Sequence, residues 1–420
     1  IVLAPVFGPT VGGVLIDAFN WRYVFFMTVP TSIIGIVAGI LYMPGKQLGA
    51  LRTRLDWQGF LIMLAFMGLQ LVLAPMIPAT AARCVMTLPL MMVGAAIYGS
   101  TADHPTNFGR NLFLQNLMGI NIFSSGFITG STANLIALMF LETMTGEKVY
   151  YADWMFANLP VVIVAMLIAW VIGPKLLFPL ADSDKTPHIK GGIDALQRQL
   201  TCMGTLSSAE KKAALIFGSV VFLWITDRFH LGWFGFEIDP VMAAMLGAII
   251  TFLPRYGILS WNDADIHWHI MLFSAGAYAG GMALDQTGAG RWAIGGMFRY
   301  FNITSEVNFW YVYIGVIALM MYSHLVFTSK TMRTMILIPF IIMLSKQLGH
   351  KAIALALPAA FTIDWVIGLP ISAKPNVILF GTGQYSVLDN IKYGVTIATV
   401  GVILYTVAGL TWFRFLGITP

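Results

Sequence analysis

Long stretches without charged side chains constrain this chain more than any other feature of its sequence. A helix needs about 20 consecutive apolar residues to cross the hydrocarbon core of a membrane. The candidate spanning segments are 23–43, 57–77, 84–100, 111–128 with 133–147, 154–180, 213–226, 236–254, 269–285, 309–327, 332–345, 353–371 and 391–416. This succession predicts an all-α polytopic membrane protein.

The composition supports the same fold class. Only 10% of the residues are charged and 58% are hydrophobic, whereas soluble proteins carry about 25% charged residues. Too few charges remain to cover a soluble surface, which excludes soluble enzymes, coiled coils and disordered chains. The apolar runs are continuous rather than alternating, which argues against an outer-membrane barrel. No Ser/His/Asp or Cys/His arrangement stands out in the sequence, so we expect neither an enzyme nor an organic cofactor.

Two polar, basic segments indicate the orientation of the chain. Lys and Arg residues are concentrated in 44–56 and 181–212, and loops of this kind lie on the cytoplasmic side of a membrane. The net charge of +5 is therefore explained by cytoplasmic loops and does not indicate a nucleic-acid partner. We expect a multi-pass protein of the cell (inner) membrane, in which 181–212 links two halves.

Two of the apolar segments are interrupted by residues that break helices. Gly126 and Gly130 interrupt 111–147, and Pro370, Pro375, Gly381 and Gly383 interrupt 353–390. Irregular backbone at membrane depth is tolerated only where it is buried in protein or lines a cavity. Transporters place broken helices of this kind around a substrate near the membrane midplane.

The interruptions belong to an internal repeat. Residues 79–83 (Ala-Thr-Ala-Ala-Arg) and 329–333 (Ser-Lys-Thr-Met-Arg) each lie between two apolar arms, and a proline follows six residues after each arginine. A second polar break ending in asparagine follows each of them, at 130–134 and 372–376. Counting the crossings between the basic loops predicts inverted repeats, in which two re-entrant helical hairpins meet at their tips. The alternative is ordinary kinked spans whose tips match by coincidence.

These motifs resemble the divalent anion:sodium symporter family, which carries dicarboxylates, tricarboxylates and related anions. The family's hairpin tip is Ser-Asn-Thr, often inside Pro-Ser-Asn-Thr-Ala-Arg, and this chain has Pro-Ala-Thr-Ala-Ala-Arg at 78–83 and Thr-Ser-Lys-Thr at 328–331. The family's second break resembles Pro-Ile-Ser-Ala-Lys-Pro-Asn at 370–376, followed by Phe-Gly-Thr-Gly-Gln-Tyr at 380–385. The resemblance covers about 74–420 and implies transport of an organic anion, with sodium as the coupling ion.

The first part of the chain is similar to a different family. Residues 1–72 resemble part of a drug:proton antiporter of the major facilitator superfamily, through Ala-Pro and Gly-Pro pairs at 4–9 and Asn-Trp-Arg at 20–22. The expected domains are 1–72 (partial facilitator helices), 73–180 (first anion-transporter repeat, incomplete), 181–212 (cytoplasmic linker) and 213–420 (second repeat). The alternative functions are a drug:proton efflux permease and a non-functional fused or truncated membrane protein.

A carboxylate substrate at membrane depth needs hydrogen-bond donors and positive potential, which helix N-termini and polar tips supply. The candidate substrate-binding residues at the tips and breaks are Thr80, Arg83, Thr132, Asn134, Ser329, Lys330, Thr331, Arg333, Lys374 and Asn376. Arg83 and Arg333 either hold a substrate carboxylate or bind carbonyls within the hairpins. The resemblance further implies a sodium site around Thr80, Gly130 and Asn134. A homodimer is compatible with the resemblance.

The two halves differ in charge at equivalent positions. Alignment of the repeats places Thr80 opposite Lys330 and Thr132 opposite Lys374. A lysine carries a fixed positive charge, so two lysines would repel sodium from the second half while still attracting an anion. We therefore expect exchange or proton-linked uptake rather than symport with several sodium ions. The alternative is that each lysine extends to an interface or pairs with an acid such as Asp364.

Overall fold

The computed structural model describes residues 57–180, 207–254, 256–264, 307–327 and 329–420, together with isolated positions between 276 and 296. The expectations about 1–56, about most of the linker 181–212 and about most of the span 269–285 therefore lie outside the described residues. Contacts divide the chain between Arg54 and Leu55, and every described residue belongs to the second unit, Leu55–Pro420. This unit is helical, and no strand occurs in the described ranges.

The helices of the described residues fall into two series of five, separated by a short group. The first series is α1 (Trp57–Met76), α2 (Thr80–Ile97), α3 (Asn107–Ser125), α4 (Thr132–Thr145) and α5 (Tyr151–Ile172). The intervening helices are α6 (Ser208–Ile225), α7 (His230–Phe234) and α8 (Pro240–Phe252). The second series is α9 (Phe309–Tyr322), α10 (Lys330–Gln347), α11 (Ala352–Phe361), α12 (Lys374–Phe380) and α13 (Val387–Leu410), and the short α14 (Trp412–Phe415) follows it.

Several of these helices have the length and composition of membrane spans. Within the described residues, 3 helical segments qualify, namely Thr80–Ile97, Tyr151–Leu177 and Val387–Phe415. A fourth qualifies if α6 and the helical turn after it, which are bent by 63°, are counted as one span. The prediction of a helical membrane protein agrees with these features. Because α2 by itself is long enough to cross, its re-entrant course stays a prediction.

The first break lies where the sequence places it. Helix α3 ends at Ser125, a short 3₁₀ turn covers Ile128–Gly130, and α4 begins at Thr132. Gly130 is required here because a Cβ at this position would lie 2.0 Å from the carbonyl oxygen of Ser124. The close approach of two backbone segments therefore fixes the break at this glycine.

The second break begins earlier than the sequence indicates. Helix α11 already ends at Phe361, nine residues before the predicted interruption at Pro370 begins, and Pro375 lies in the first turn of α12, where its missing N–H costs no hydrogen bond. Side chains from neighbouring elements bind the carbonyl groups of the connecting segment, including Asn390, whose Nδ2 donates to the oxygen of Ile367 at 3.0 Å. Buried backbone outside a helix needs such partners, and proline spacing does not reveal them.

The two series of helices pack in a similar way. Helix α1 contacts α3 as α9 contacts α11, and α2 contacts α3 as α10 contacts α11. The two series also contact each other: α2 packs against α12, and α10 packs against α4. Helices α3 and α11 are buried along nearly their whole length, so they form the centre of the unit.

Candidate functional site

A cavity of about 390 Å³ lies where the two predicted tips and the two breaks come together. Four segments line it, namely 78–81, 131–133, 329–331 and 373–374. Each segment contains the first residue of a helix. The structure thus brings together elements that are separated by up to about 300 positions in the sequence, as the repeat predicts.

Helix N-termini surround this cavity. Helices α2, α4 and α10 contain 18, 14 and 18 residues and begin at Thr80, Thr132 and Lys330. The shorter α12 begins at Lys374 on the same cavity. Each helix N-terminus carries roughly half a positive charge and unpaired backbone N–H groups. The arrangement therefore favours an anion in the cavity.

The capping of these helices differs in a way that matters for binding. The side chain of Ser131 accepts a hydrogen bond from the backbone N–H of Asn134 at 3.4 Å, and Ser329 accepts one from Met332 at 3.3 Å. Helix α2 has Ala79 at its N-cap and no side-chain cap. Its first-turn N–H groups therefore have no side-chain acceptor, and an anion in the cavity could bind them.

The two lysines at the cavity have different surroundings. The Nζ of Lys330 lies 3.0 Å from Oδ1 of Asp364, and the second carboxylate oxygen of Asp364 accepts a hydrogen bond from Ser131 Oγ at 3.0 Å. The side chain of Lys330 is 10% exposed and that of Asp364 is completely buried. Among the described residues, Lys374 forms no ion pair and its side chain is exposed. Of the alternatives left open by the sequence, Lys330 thus takes the ion pair with Asp364.

The two arginines lie behind the cavity and do not line it. In the first half, the guanidinium of Arg83 donates hydrogen bonds to the carbonyl oxygens of Ile120 and Gly130 at 3.1 and 3.3 Å, and to the hydroxyl of Ser124.

Arg333 makes the corresponding contacts in the second half. Its guanidinium donates to the carbonyl oxygens of Met320 and Thr362 at 3.2 and 3.3 Å, and to that of Ile363. Both arginines therefore satisfy carbonyl groups at helix ends and breaks, which is the second of the two roles considered for them. The structure does not place either guanidinium where a substrate in the cavity would contact it.

The two asparagines that end the breaks are fully buried and occupy equivalent positions. The Nδ2 of Asn134 donates to the carbonyl oxygens of Ser124 and Phe127, both at 2.9 Å. The Nδ2 of Asn376 donates at the same two sequence spacings, to Val366 and Leu369, also at 2.9 Å. Neither side chain lines the cavity.

The asparagine side-chain oxygens differ between the halves. Oδ1 of Asn376 accepts a hydrogen bond from Nδ2 of Asn121 at 3.1 Å, whereas Oδ1 of Asn134 is buried and has no partner. A buried oxygen without a donor is a suitable ligand for a hard cation. Of the three predicted sodium ligands, Asn134 therefore has a free oxygen, Thr80 lines the cavity, and the oxygen of Gly130 accepts from Arg83.

Comparison with known protein families identifies the chain. Residues 46–419 match the family described as "Sodium:sulfate symporter transmembrane region". The chain belongs to this family. It is accordingly a multi-pass membrane protein of a transporter family, and the resemblance based on residues 74–420 is confirmed.

Relatives of this symporter family cover the chain to different extents. A protein named "Membrane protein" from Cupriavidus necator is 24% identical over 361 residues, which are 85% of this chain and 68% of the relative. The sodium-dependent dicarboxylate transporter SdcS of Staphylococcus saprophyticus is 25% identical over 67% of this chain and 55% of its own length. SdcS of Staphylococcus aureus is 24% identical over 62% of this chain and 50% of its own length. The chain thus spans about half the length of the dicarboxylate transporters that it matches.

The symporter match changes the assignment of the first helices. Residues 46–72 lie inside the match, although the sequence assigned them to a facilitator-like segment. The facilitator resemblance of 1–72 is not supported. The assignment rested on short Gly, Pro and Trp patterns, and apolar helices of different transporters share these because they serve similar close packing.

Two residues at or behind the cavity were not among the candidate substrate-binding residues. Ser131 lines the cavity and binds Asp364, which in turn binds Lys330. Ser131 could have been found as a serine immediately before a helix, since serine is a preferred N-cap residue. Asp364 is the only acid within 353–371, and an ionisable residue inside an apolar span indicates a functional role.

Proposed function

We propose that the chain is a secondary active transporter of di- or tricarboxylate-type organic anions, which bind in the cavity between the two tips. The convergence of the N-termini of α2, α4 and α10 on this cavity carries the proposal, because three partial positive charges and their N–H groups suit a carboxylate. The dicarboxylate specificity of the named staphylococcal relatives agrees with it.

The repeat architecture forms part of the proposal. We infer inverted repeats within 73–180 and 213–420, each with a re-entrant hairpin and a broken helix, joined by the cytoplasmic linker 181–212. The exchanged contacts of α2 with α12 and of α10 with α4 support a two-fold relation between the repeats. The homodimer and the location in the inner membrane stay predictions.

Coupling is assigned to the first half of the chain. Asn134 offers a buried oxygen without a partner there and Thr80 lines the cavity, whereas the carbonyl oxygen of Gly130 already accepts a hydrogen bond from Arg83. In the second half the oxygen of Asn376 accepts from Asn121, and Lys330 stands at the tip. We infer that transport proceeds by exchange, by proton-linked uptake or with the single sodium ion of the first half, rather than with several sodium ions.

Lys374 and the hydroxyl groups of the tips would contact the anion. Lys374 is exposed at the cavity and supplies a charge that no acid compensates among the described residues. Thr331 lines the same cavity, and its hydroxyl group makes no hydrogen bond to another described residue. Replacement of Thr331 by valine removes one donor while preserving the volume of the side chain.

The proposal is tested by binding of succinate, malate, citrate and sulfate to the purified chain, in sodium and in choline buffer. We expect saturable binding of at least one carboxylate, and a loss of about 5- to 10-fold in affinity for Thr331→Val, since one hydrogen bond contributes about 1 kcal/mol. Thr406→Val is the matched control, because Thr406 lies on α13 away from the cavity. Absence of saturable binding, or equal affinities for the two variants, would contradict the proposal.

A further inference from the structure

A second cavity, of about 310 Å³, lies at the C-terminal end of α4 and is called the acidic cavity below. Thr132 at the start of α4 lines the anion cavity, whereas Leu138 and Glu142 of the same helix line the acidic cavity. A helix rises about 1.5 Å per residue, so Glu142 is about 15 Å from Thr132 along the axis. The two cavities are therefore separate, and a ligand in one does not touch a ligand in the other.

Carboxylates dominate the charged lining of the acidic cavity. Its charged side chains are Glu142, Glu147, Asp227, Glu237, Asp239 and Lys148. Lys148 forms an ion pair with Glu237, and it is close enough to Glu142 to interact with it electrostatically. The nearby cations have other partners, because Arg228 pairs with Asp153 at 3.1 Å and Lys346 donates to the carbonyl oxygen of Met144 at 2.5 Å. Within the described ranges, four of the five carboxylates thus form no ion pair.

Asp227 is the buried member of this lining. Its side chain is only 4% exposed, and its Oδ2 accepts a hydrogen bond from the backbone N–H of Tyr151 at 2.6 Å, where α5 begins. The other oxygen, Oδ1, is buried and accepts no hydrogen bond in the part of the chain that the structure describes. A buried carboxylate oxygen without a donor is costly. A ligand that donates a hydrogen bond from the cavity would therefore be stabilised there.

The arrangement of acceptors favours a primary ammonium group over other cations. No group of three His, Cys, Asp or Glu side chains among the described residues is placed to hold a metal ion. A guanidinium binds a carboxylate best through two parallel hydrogen bonds, but only one oxygen of Asp227 is available. A quaternary ammonium has no N–H group to donate, whereas a primary ammonium has three. The ion pair of Lys148 with Glu237 shows that the acidic cavity accommodates such a group.

The acidic cavity lies at one end of a segment with the length and composition of a membrane span, Tyr151–Leu177. Tyr150 lines the cavity at the start of this segment, and the linker 181–212 follows its other end. The cavity is therefore on the side of the membrane opposite to the linker, which is the outer side in the predicted orientation. Trp233 and Phe236 are exposed nearby in the sequence, and aromatic side chains of this kind collect at the level of the lipid headgroups.

We propose that the acidic cavity is a binding site for a primary ammonium group, which donates a hydrogen bond to Oδ1 of Asp227. The group belongs either to the headgroup of an aminophospholipid or to a soluble amine, since both present the same chemistry at this level of the membrane. The inference goes beyond the proposed function, because the ligand is a cation and its site is separate from the anion cavity.

The experiment measures thermal unfolding of the purified chain in detergent with increasing ethanolamine or choline, at constant ionic strength. The two probes carry the same charge, but only ethanolamine has N–H groups on its ammonium. We expect ethanolamine to raise the melting temperature in a saturable way, and choline to have a smaller effect. In Asp227→Asn the affinity for ethanolamine should fall about 10-fold or more. Asp103→Asn is the matched control, because Asp103 is exposed and does not line the cavity.

A lipid arm distinguishes the two sources of the ammonium. The same unfolding is measured in mixed micelles that contain phosphatidylethanolamine or phosphatidylcholine, whose headgroups differ as the two soluble probes do. A higher melting temperature with phosphatidylethanolamine, lost in Asp227→Asn, assigns the site to a lipid headgroup. A response to ethanolamine without a difference between the lipids assigns it to a soluble amine.

A second variant covers the case in which Asp227→Asn does not fold. Lys148 is exposed, and Lys148→Met removes the internal ammonium that occupies Glu237, so the affinity for ethanolamine should rise about 2- to 5-fold. Unchanged or weaker binding in this variant overturns the inference. Equal responses to ethanolamine and choline without a lipid difference overturn it as well, and so does stabilisation by Mg²⁺ but not by ethanolamine. Succinate affinity should be the same in all variants, so its absence would count against the proposed function alone.

Discussion

Replacement of Gly130 by alanine probes both the break between α3 and α4 and the first-half cation site. The added Cβ would lie 2.0 Å from the carbonyl oxygen of Ser124 and 2.7 Å from its carbonyl carbon. Carbon and oxygen atoms that are not bonded rarely approach within about 3 Å, so the backbone must move by about 1 Å. Overpacking of this kind costs about 1–3 kcal/mol. The Ser124 oxygen also accepts from Asn134 Nδ2 at 2.9 Å, and loss of this bond adds about 1 kcal/mol.

The expected result is a destabilisation of about 2–4 kcal/mol from these two terms, together with weaker binding of sodium and of the coupled anion. Thermal unfolding in detergent measures the first effect, and succinate titration in sodium and in choline measures the second. Gly315→Ala in α9 is the matched control, because a Cβ there meets nothing within 4 Å, and alanine favours a helix by about 1 kcal/mol over glycine. If Gly130→Ala unfolds and binds like Gly315→Ala, the close backbone approach is not a real constraint.

Three further predictions concern other parts of the molecule. Arg83→Met removes the guanidinium that binds Ile120 and Gly130, so we expect a loss of several kcal/mol in stability and little change in anion affinity of the folded protein; a large loss of affinity at unchanged stability would show direct substrate contact. The hydrogen bond from Lys148 holds the pKa of Glu237 below its usual range, so this pair stabilises the fold above about pH 4 and its contribution is lost as the pH falls further. The melting temperatures of the unaltered chain and Glu237→Gln should therefore converge at low pH, and a constant difference would exclude the ion pair as its cause. Deletion of 1–45, which precede the symporter match, should leave succinate affinity unchanged, and its loss would show that these residues build the site.

The cavity could be predicted from local sequence patterns. The two tips and the two breaks were recognisable because polar residues, glycine and proline interrupt apolar runs at corresponding places in the two halves. A helix that begins at such an interruption presents its N-terminal N–H groups there. These groups are part of the backbone, so this effect does not depend on which side chains follow. Thr80, Thr132, Lys330 and Lys374 consequently line one cavity in the structure, as their alignment in the repeat predicts.

The roles of individual side chains depended on neighbours that are distant in the sequence. Equivalent asparagines at 134 and 376 look alike in the sequence, but only Asn376 meets Asn121, which leaves the oxygen of Asn134 free. In the sequence Arg83 is a candidate ligand for a carboxylate, but in the structure it donates to the carbonyl groups of Ile120 and Gly130.

The sequence by itself therefore determined the helical membrane fold and the position of the first break, because apolar length and backbone-breaking residues act locally, whereas the second break begins nine residues before the predicted interruption at Pro370. Only the tertiary structure decided which charges compensate each other. Lys330 and Asp364 are 34 positions apart, and Asp364 and Ser131 are 233 apart. A buried charge takes the partner that packing brings within about 3–4 Å, and packing between the two halves is not a property of any single segment.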